Sequence, residues 1–230
     1  MHAAEPLRGL ALNRVSTVEA LEVALRREVL SGALPAGAQL REVELCNRYG
    51  VARQSVRSAL QALVHAGLLR HEPHRGAFVP RFSPGDVHDI HLLRIAIESE
   101  AITAAIARRV DLGPLERALE RLEGLRDDAR WDEAVDADLA LHLAIVASLQ
   151  SPRMLRTYEG LLSEQRLLLA QVEDRYPRRP VLGPIHSGIV AAIRAGDADA
   201  ARAALRAHLE ESRDEVLRVV AEARAADRRL

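Results

Sequence analysis

Residues 40–79, LREVELCNRYGVARQSVRSALQALVHAGLLRHEPHRGAFV, dictate the architecture of the first third of this chain. The pattern predicts a helix, a tight turn, a second helix and then a short β-hairpin. Tyr49-Gly50-Val51 interrupts the first helix, because Gly50 readily adopts the left-handed conformation that ends helices. The second helix begins near Ala52, and Gly67 closes it. A helix-turn-helix with an appended hairpin is therefore expected here.

Each of the two predicted helices has an apolar face. In the first helix, Val43, Leu45 and Cys46 are expected to face a core. In the second helix, the apolar side chains recur three or four residues apart and form one stripe: Val56, Leu60, Leu63 and Val64. The opposite face is polar and positive, with most of its donor groups in the first two turns: Arg53, Gln54, Arg57, Ser58 and Gln61. Such a face suits a helix whose N-terminal end docks into the major groove of DNA.

The segment after the second helix predicts a wing. Residues 68–71 and 77–79 are apolar or β-prone and flank the turn residues 73–76, which together indicate two short strands. A positive helix face by itself is often only a solvated surface. The wing and the placement of donors at the helix start favour DNA binding over that simpler interpretation.

The same residues resemble the winged helix-turn-helix of the GntR family of bacterial transcription regulators. The matching segments are SGALPAGAQLRE (31–42), YGVARQSVRSALQALVHAGLL (49–69) and HRGAFV (74–79). The resemblance implies that a set of helix residues meets bases and phosphates, namely Arg53, Gln54, Ser55 and Arg57. It also implies a phosphate contact for Arg41 and a minor-groove approach for Arg75 and Gly76 at the wing tip. Two departures bear on the operator sequence: Ala52 stands where the family usually has Ser, and Gln54-Ser55 stands where Thr-Pro is common.

Composition indicates a helical protein of two domains. The chain has 230 residues, 48% of them hydrophobic and only 3% aromatic, so its cores must be built from Leu, Ala, Val and Ile. All 32 basic residues are Arg, and the formal net charge is -1. Residues 1–80 carry 10 Arg against 7 acidic residues, whereas residues 81–230 carry 22 Arg against 26 acidic residues. This asymmetry fits a DNA-binding domain over 1–80 and a domain with another task over 81–230.

Cysteine content and hydropathy bear on the compartment. Cys46 is the single cysteine of the sequence, so no intramolecular disulfide can form. The sequence has no apolar run of about 18 residues for a membrane helix, and the N-terminus lacks the apolar region of a signal peptide. A reducing cytoplasm is therefore the expected location.

Beyond a linker at residues 80–85, the sequence is helical in period. A first helix is expected at 18–31, and the later ones are expected at 86–110, 114–128, 132–149, 152–174, 185–195 and 198–228. Ser151 and Pro152 provide a cap followed by proline at the first helical position. The stretch from Tyr176 to Pro184 contains three prolines, which predict a loop. The expected fold is mainly α: a winged helix-turn-helix followed by an all-α bundle of roughly six helices.

Four potential metal ligands lie within the predicted bundle. Asp138 and His142 are four residues apart and share one helix face. His186 lies 10 residues before Gly196 and His208 lies 11 residues after Asp197, so an antiparallel hairpin would bring the two imidazoles to the same height. One carboxylate and three imidazoles suit a divalent metal such as zinc, nickel or manganese. Spacing alone leaves open the alternative that each histidine is simply a packed or surface residue. His88 and His91 fit no such pairing and are expected at the surface.

Residues 85–215 resemble the FCD-type ligand-binding domain of the FadR-like branch of the GntR family. The matching segments are LLRIAIESEAI (92–102), DADLALH (136–142), ASLQSPRML (147–155) and HSGIVAAIRAGDADAARAALRAHL (186–209). The resemblance implies that a metal, zinc in the first place, is bound by Asp138, His142, His186 and His208. It further places Arg94 near the pocket, where a guanidinium could bind an organic carboxylate; the alternative is a salt bridge at a surface or interface. Leu149-Gln150 replaces the usual Gly-Asn and could alter the pocket wall.

Together these features predict a metabolite-responsive transcription regulator, a repressor rather than an enzyme. A homodimer would bind palindromic operator DNA, and a small carboxylate effector would complete the coordination of the metal. One rival is a metal-dependent enzyme in the bundle; Glu98 and Glu100 could serve it as bases, but surface charge explains them equally well. The other rival is a constitutive DNA-binding protein with a structural metal.

Overall fold

A computed structural model describes residues 16–73, 75–126, 128–176 and 183–227. Four parts of the sequence predictions therefore lie outside the described residues: positions 1–15 of the first domain, position 74 of the wing, position 127 of the predicted helix 114–128, and positions 177–182 of the proline-rich loop. The C-terminal positions 228–230 lie outside them as well.

The N-terminal part is a winged helix-turn-helix, as predicted. Its elements are α1 (Thr17–Leu30), β1 (Gln39–Leu40), α2 (Glu42–Tyr49), α3 (Arg53–His65), β2 (Arg70–Glu72) and β3 (Gly76–Phe78). The strands form an antiparallel sheet in the order β1-β3-β2. The predicted hairpin is β2 and β3. The prediction missed β1, because a strand of two residues has no sequence period.

Local signals in the sequence set the helix ends. Ser16 caps α1 in a capping box with Glu19, so two backbone N–H groups that the helix leaves free find acceptors. Gly50 ends α2 at φ 65°, the left-handed conformation expected from its sequence. Ala52 is the N-cap residue of α3 and provides no side-chain cap, because alanine lacks the hydroxyl of serine.

The prediction that Val43 faces the core is wrong. Val43 is 62% exposed, whereas Leu45 is buried and Cys46 is half-buried. Residues two apart on a helix point about 200° away from each other, so Val43 and Leu45 cannot both face the core that α2 shares with α3. Leu45 takes that position, and Val43 points to solvent.

In its described residues the C-terminal part is all helical, which confirms the predicted mainly α fold class. Its helices are α4 (Pro84–Arg108), α5 (Gly113–Glu123), α6 (Trp131–Ala147), α7 (Pro152–Val172), α8 (Gly183–Ala195) and α9 (Ala198–Asp227), with a short 3₁₀ turn at Glu173–Arg175. The helix α9 packs against α4 and α8, and α6 packs against α5 and α7. Among the described helices, none combines the length and apolar character that a membrane crossing requires.

The segment between the two parts is packed rather than loose. Phe82 is 6% exposed and belongs to one apolar core that runs through both parts of the chain. Nε2 of Gln171, on α7, donates to the carbonyl oxygen of Pro80 at 2.9 Å. Arg70 of the wing pairs with Asp86 of α4 at 2.8 Å. These contacts fix the winged head against the bundle.

A glycine at the end of α3 allows a further close approach between the two parts. Gly67 has φ 74°, and a methyl group there would come within 2.6 Å of Cγ of Glu164 on α7. The helix α7 thus touches the head on one side. Its other side, with Tyr158 and Gln165, is buried in the bundle.

Candidate functional site

The structure brings the four predicted metal ligands together in the centre of the bundle. Asp138 and His142 come from α6, His186 from α8 and His208 from α9. One nitrogen or oxygen atom from each of the four lies within 4.8 Å of the others. The α8–α9 hairpin turns at Gly196, which has φ 75°. This is the helix break from which His186 and His208 are about equally distant in sequence.

The ring nitrogens and the carboxylate converge on a small volume. Nε2 of His186 lies 3.0 Å from Oδ1 of Asp138 and 3.2 Å from Nε2 of His142. Nε2 of His142 lies 3.8 Å from the same oxygen of Asp138. The ring of His208 completes the group, with its centroid 4.5 Å from that of His186 and 5.4 Å from that of His142.

A buried glutamate lies directly behind this group. Glu98 is 0% exposed, and its Oε2 accepts a hydrogen bond of 2.6 Å from Nδ1 of His142. Its Oε1 accepts from Nε of Arg94 at 3.1 Å and from the hydroxyl of Tyr158 at 2.5 Å. The interpretation of Glu98 as a surface charge equivalent to Glu100 is therefore wrong. Glu98 orients a ring of the candidate metal site, and sequence reasoning missed this role.

The sequence did contain a signal for the burial of Glu98. Ile95, Glu98 and Ile102 follow one another at intervals of three and four residues on the stripe of α4 that faces the core. Glu100 lies off this stripe and is exposed. A carboxylate at a core position of an apolar stripe requires a buried partner, and Arg94 lies one helical turn away.

The local charges fix the protonation of His142. Burial alone would raise the pKa of Glu98, but His142 and Arg94 outweigh it and lower that pKa to about 2. Burial lowers the pKa of His142, so its ring is neutral at pH 7 and carries one proton. An ionised carboxylate can only accept, so we assign this proton to Nδ1. Nε2 then directs its lone pair toward Asp138 and the other two rings.

Asp138 and His208 carry the charges that metal ligands need. Burial, followed by the nearby rings of His142 and His186, lowers the pKa of His208 to about 3, so that its imidazole is neutral at pH 7. Burial would raise the pKa of Asp138, but the hydrogen bond from His186 and the surrounding electrostatics, including the positive charge of Arg94, hold it well below the ordinary value. Neutral imidazoles and an ionised carboxylate are the forms that coordinate metals. Three nitrogens and one oxygen fit a borderline divalent cation, and the carboxylate behind His142 is a typical outer partner of such a site.

Arg94 is not at the surface: it is 2% exposed and lies beside the candidate metal site. Its Nε binds Glu98, and its charge contributes to the lowered pKa of Asp138. Nη2 of Arg94 is buried and has no hydrogen-bond partner among the described residues. The same holds for Oε1 of Gln165. A charged group with a buried donor that has no hydrogen-bond partner destabilises the folded state. An anion would supply the missing acceptor.

The expectation that His91 is a surface residue is also wrong, whereas His88 is exposed as expected. His91 is 0% exposed and lies on the buried stripe of α4, one turn before Ile95. Its Nδ1 lies 2.8 Å from the carbonyl oxygen of Val87, and burial lowers its pKa to about 4. It is therefore a neutral core residue at pH 7.

A second candidate site lies on the head, in a groove between α2, α3 and the wing. Five of the seven residues predicted to contact DNA line this groove: Arg41, Arg53, Arg57, Arg75 and Gly76. Gln54 is exposed and Ser55 is half-buried, but neither lines the groove. Gly76 has φ 90° at the start of β3, which suits glycine at a wing tip.

Glu42 organises the two arginines of α3. Its Oε2 accepts from Nε of Arg53 at 2.5 Å, and its Oε1 accepts from Nε of Arg57 at 2.8 Å. The hydrogen bonds from Arg57 and then Arg53 lower the pKa of Glu42. The side chains of the two arginines remain 64% and 50% exposed. Because each arginine binds Glu42 through its Nε, the ends of both guanidinium groups can bind a further partner.

Comparison with protein families assigns both parts of the chain. Residues 17–79 match the family described as bacterial regulatory proteins, gntR family. Residues 89–211 match the FCD domain, which covers the helices that carry the metal-ligand candidates.

Individual relatives cover most of the chain. A transcriptional regulator of the helix-turn-helix type from Streptomyces ambofaciens is 33% identical over 200 residues, which span 85% of this chain and 83% of that protein. A D-xylose utilization operon transcriptional repressor of Paenarthrobacter nicotinovorans is 26% identical over 201 residues, spanning 86% and 88% of the two chains. The crystal structure of a GntR transcriptional regulator from Rhodococcus sp. RHA1 superposes with a TM-score of 0.75 at 25% identity, over 87% of this chain and 97% of that one.

The buried position of Glu98 predicts a large cost for removing its charge. Glu98→Gln keeps the shape but leaves the guanidinium of Arg94 buried without an ionic partner, which should lower the free energy of unfolding by about 3 kcal/mol. Glu100→Gln, two residues away and exposed, should change it by less than about 0.5 kcal/mol. Urea unfolding of chelator-treated protein measures both. Equal stability of the two variants would contradict the buried ion pair.

Proposed function

Because this chain belongs to the GntR family of bacterial regulatory proteins and carries an FCD domain, we propose that it is a repressor whose operator binding is controlled by a small organic acid held at a metal site. Its family and its relatives are transcription regulators, and the chain is likewise a metabolite-responsive DNA-binding regulator and not an enzyme. The observation that carries the proposal is the convergence of Asp138, His142, His186 and His208 in a bundle packed against a winged head.

The proposed DNA-binding domain comprises residues 1–80, and the proposed effector domain comprises residues 81–230. Two copies of the chain form a homodimer, whose two-fold axis matches a palindromic operator. In each half-site, the N-terminal turns of α3 enter the major groove with Arg53, Gln54, Ser55 and Arg57. Arg41 neutralises a phosphate, and Arg75 and Gly76 approach the minor groove. DNA binding also makes the cytoplasm the proposed location.

The proposed metal is zinc, with nickel and manganese as alternatives, held by Asp138, His142, His186 and His208. When bound, such an ion offers its remaining coordination positions to an anion. The residues that favour this site are already arranged: Glu98 keeps the Nε2 lone pair of His142 turned toward the other three, and burial keeps His208 neutral.

The proposed effector is a small carboxylate, and the buried Nη2 of Arg94 supports it. A guanidinium with one nitrogen on Glu98 and another without a partner is suited to receive one oxygen of a carboxylate while the metal receives the other. Arg94 lies on α4, the helix whose first turn pairs with the wing through Asp86 and Arg70. An effector that binds one placement of α4 better than another therefore shifts the placement of the head.

Metal content tests the first part of this proposal. After dialysis against zinc, the parent protein should retain one ion per chain, whereas His186→Ala and His208→Ala should each bind zinc at least about tenfold more weakly. His88→Ala, an exposed histidine on α4, is the matched control and should behave like the parent. Elemental analysis and competition with a chromogenic chelator measure the affinity. If the two buried-site variants retain zinc as the control does, the site is wrong.

DNA binding tests the recognition surface. On a duplex selected from a random library by the full chain, Arg53→Ala or Arg57→Ala should weaken binding by about 1–3 kcal/mol. Loss of a base contact also relaxes sequence preference, whereas loss of a phosphate contact lowers the salt dependence. The control is Arg194→Ala, since Arg194 is an exposed arginine paired with Glu116 in the bundle. Binding of the selected duplex by both head variants at parental affinity would refute the assignment of α3.

A screen of organic acids tests regulation. We expect at least one small carboxylate to raise the melting temperature of the zinc-loaded parent and to change its operator affinity by about fivefold or more. Arg94→Gln should lose both responses, whereas Arg108→Gln, an exposed arginine on the same helix, should keep them. Fluorescence anisotropy on labelled operator, with and without the acid, provides the second readout. A hit that stabilises the protein without altering DNA affinity would contradict the proposed control of repression.

A further inference from the structure

An exposed valine lies in the groove of the winged head. At 62%, Val43 is the most exposed of the large hydrophobic side chains in the described part of the chain. It lies in the first turn of α2, between Glu42 and Glu44. Within the groove it lies among Arg53, Arg57 and Arg75.

The position of Val43 relative to α3 is fixed by its neighbour. Glu42 holds the start of α2 against α3 through its hydrogen bonds to Arg53 and Arg57. Both of these arginines belong to the first two turns of α3, the part of a recognition helix that reaches base edges. Val43 and both arginines line one groove, so Val43 presents its two methyl groups to the same space into which these guanidinium groups extend.

The chemistry of that space leaves one good partner for a valine. Phosphates and the polar base edges of the major groove offer charges, donors and acceptors, none of which valine can satisfy. The apolar feature of the major groove is the C5-methyl group of thymine. We infer that Val43 is a specificity-determining residue that contacts the C5-methyl group of one thymine in each half-site of the operator. This inference rests on the DNA binding proposed above and adds a base that the arginines do not read.

Replacing thymine by deoxyuridine tests the inference, because it removes the methyl group and leaves the base pair intact. On a palindromic duplex selected by the full chain, thymines are replaced by deoxyuridine one symmetric pair at a time. One pair of positions should weaken binding by the parent protein by about fourfold per methyl group, or about 15-fold for the two half-sites together. Val43→Ala should bind the thymine and deoxyuridine versions of that duplex equally.

The control is Val23→Ala, because Val23 is a comparably exposed valine, at 57%, on α1 and outside the groove. It should retain the parental discrimination. Thermal melting should show both variants folded, since neither side chain is in the core. If the parent binds the selected duplex but no thymine replacement weakens binding, or if the discrimination persists in Val43→Ala, the inference about Val43 is overturned while the regulator stands. If the full chain selects no duplex at all, the proposed function fails, and this inference fails with it.

Discussion

The bundle depends on the ionised side chain of Glu98, which has no contact with water. A buried carboxylate is several kcal/mol less stable than a solvated one unless charges and donors surround it. Here the partners come from three helices: Arg94 from α4 itself, His142 from α6 and Tyr158 from α7. Any packing of these helices that separated one of the partners from Glu98 would leave an uncompensated charge. The same requirement fixes the ring of His142, so helix packing itself orients one of the four metal-ligand candidates.

The candidate site was largely predictable because helices convert sequence spacing into geometry. The interval between Asp138 and His142 placed them on one face, and the equal distances of His186 and His208 from a helix break placed them at one height. What the sequence did not reveal was the buried carboxylate of Glu98 behind the ligand candidates. The role of Glu98 depends on which side of α4 faces α6, and that orientation follows from packing among distant segments. A single-sequence period identifies a stripe but not its neighbours.

The errors on the head have a related physical origin. Val43 and Leu45 are both apolar, and an eight-residue helix has too few turns for a period to show which of them is buried. The strand β1 has two residues and is defined entirely by its pairing with β3. In contrast, the longer α3 was predicted with its buried stripe largely correct: Val56, Leu60 and Leu63 are buried, and Val64 is half-buried. The buried face was thus predicted more reliably for the helix with more turns.

Because the connection at Phe82 is packed, a movement of α4 is transmitted to the winged head. The helix has 25 residues, and about 15 Å separates Arg94 from its first residue at a rise of 1.5 Å per residue. Arg70 connects the wing to the bundle, and Gln171 binds the segment between the two parts. The connection is therefore not a flexible linker that could absorb a rotation of α4. A tilt of α4 by a few degrees would therefore change the angle of the attached head, and in the proposed homodimer the two heads would move in opposite senses. DNA has a helical repeat of about 34 Å. If the distance between the two recognition helices changes by a small part of this length, they no longer fit two successive major grooves at once.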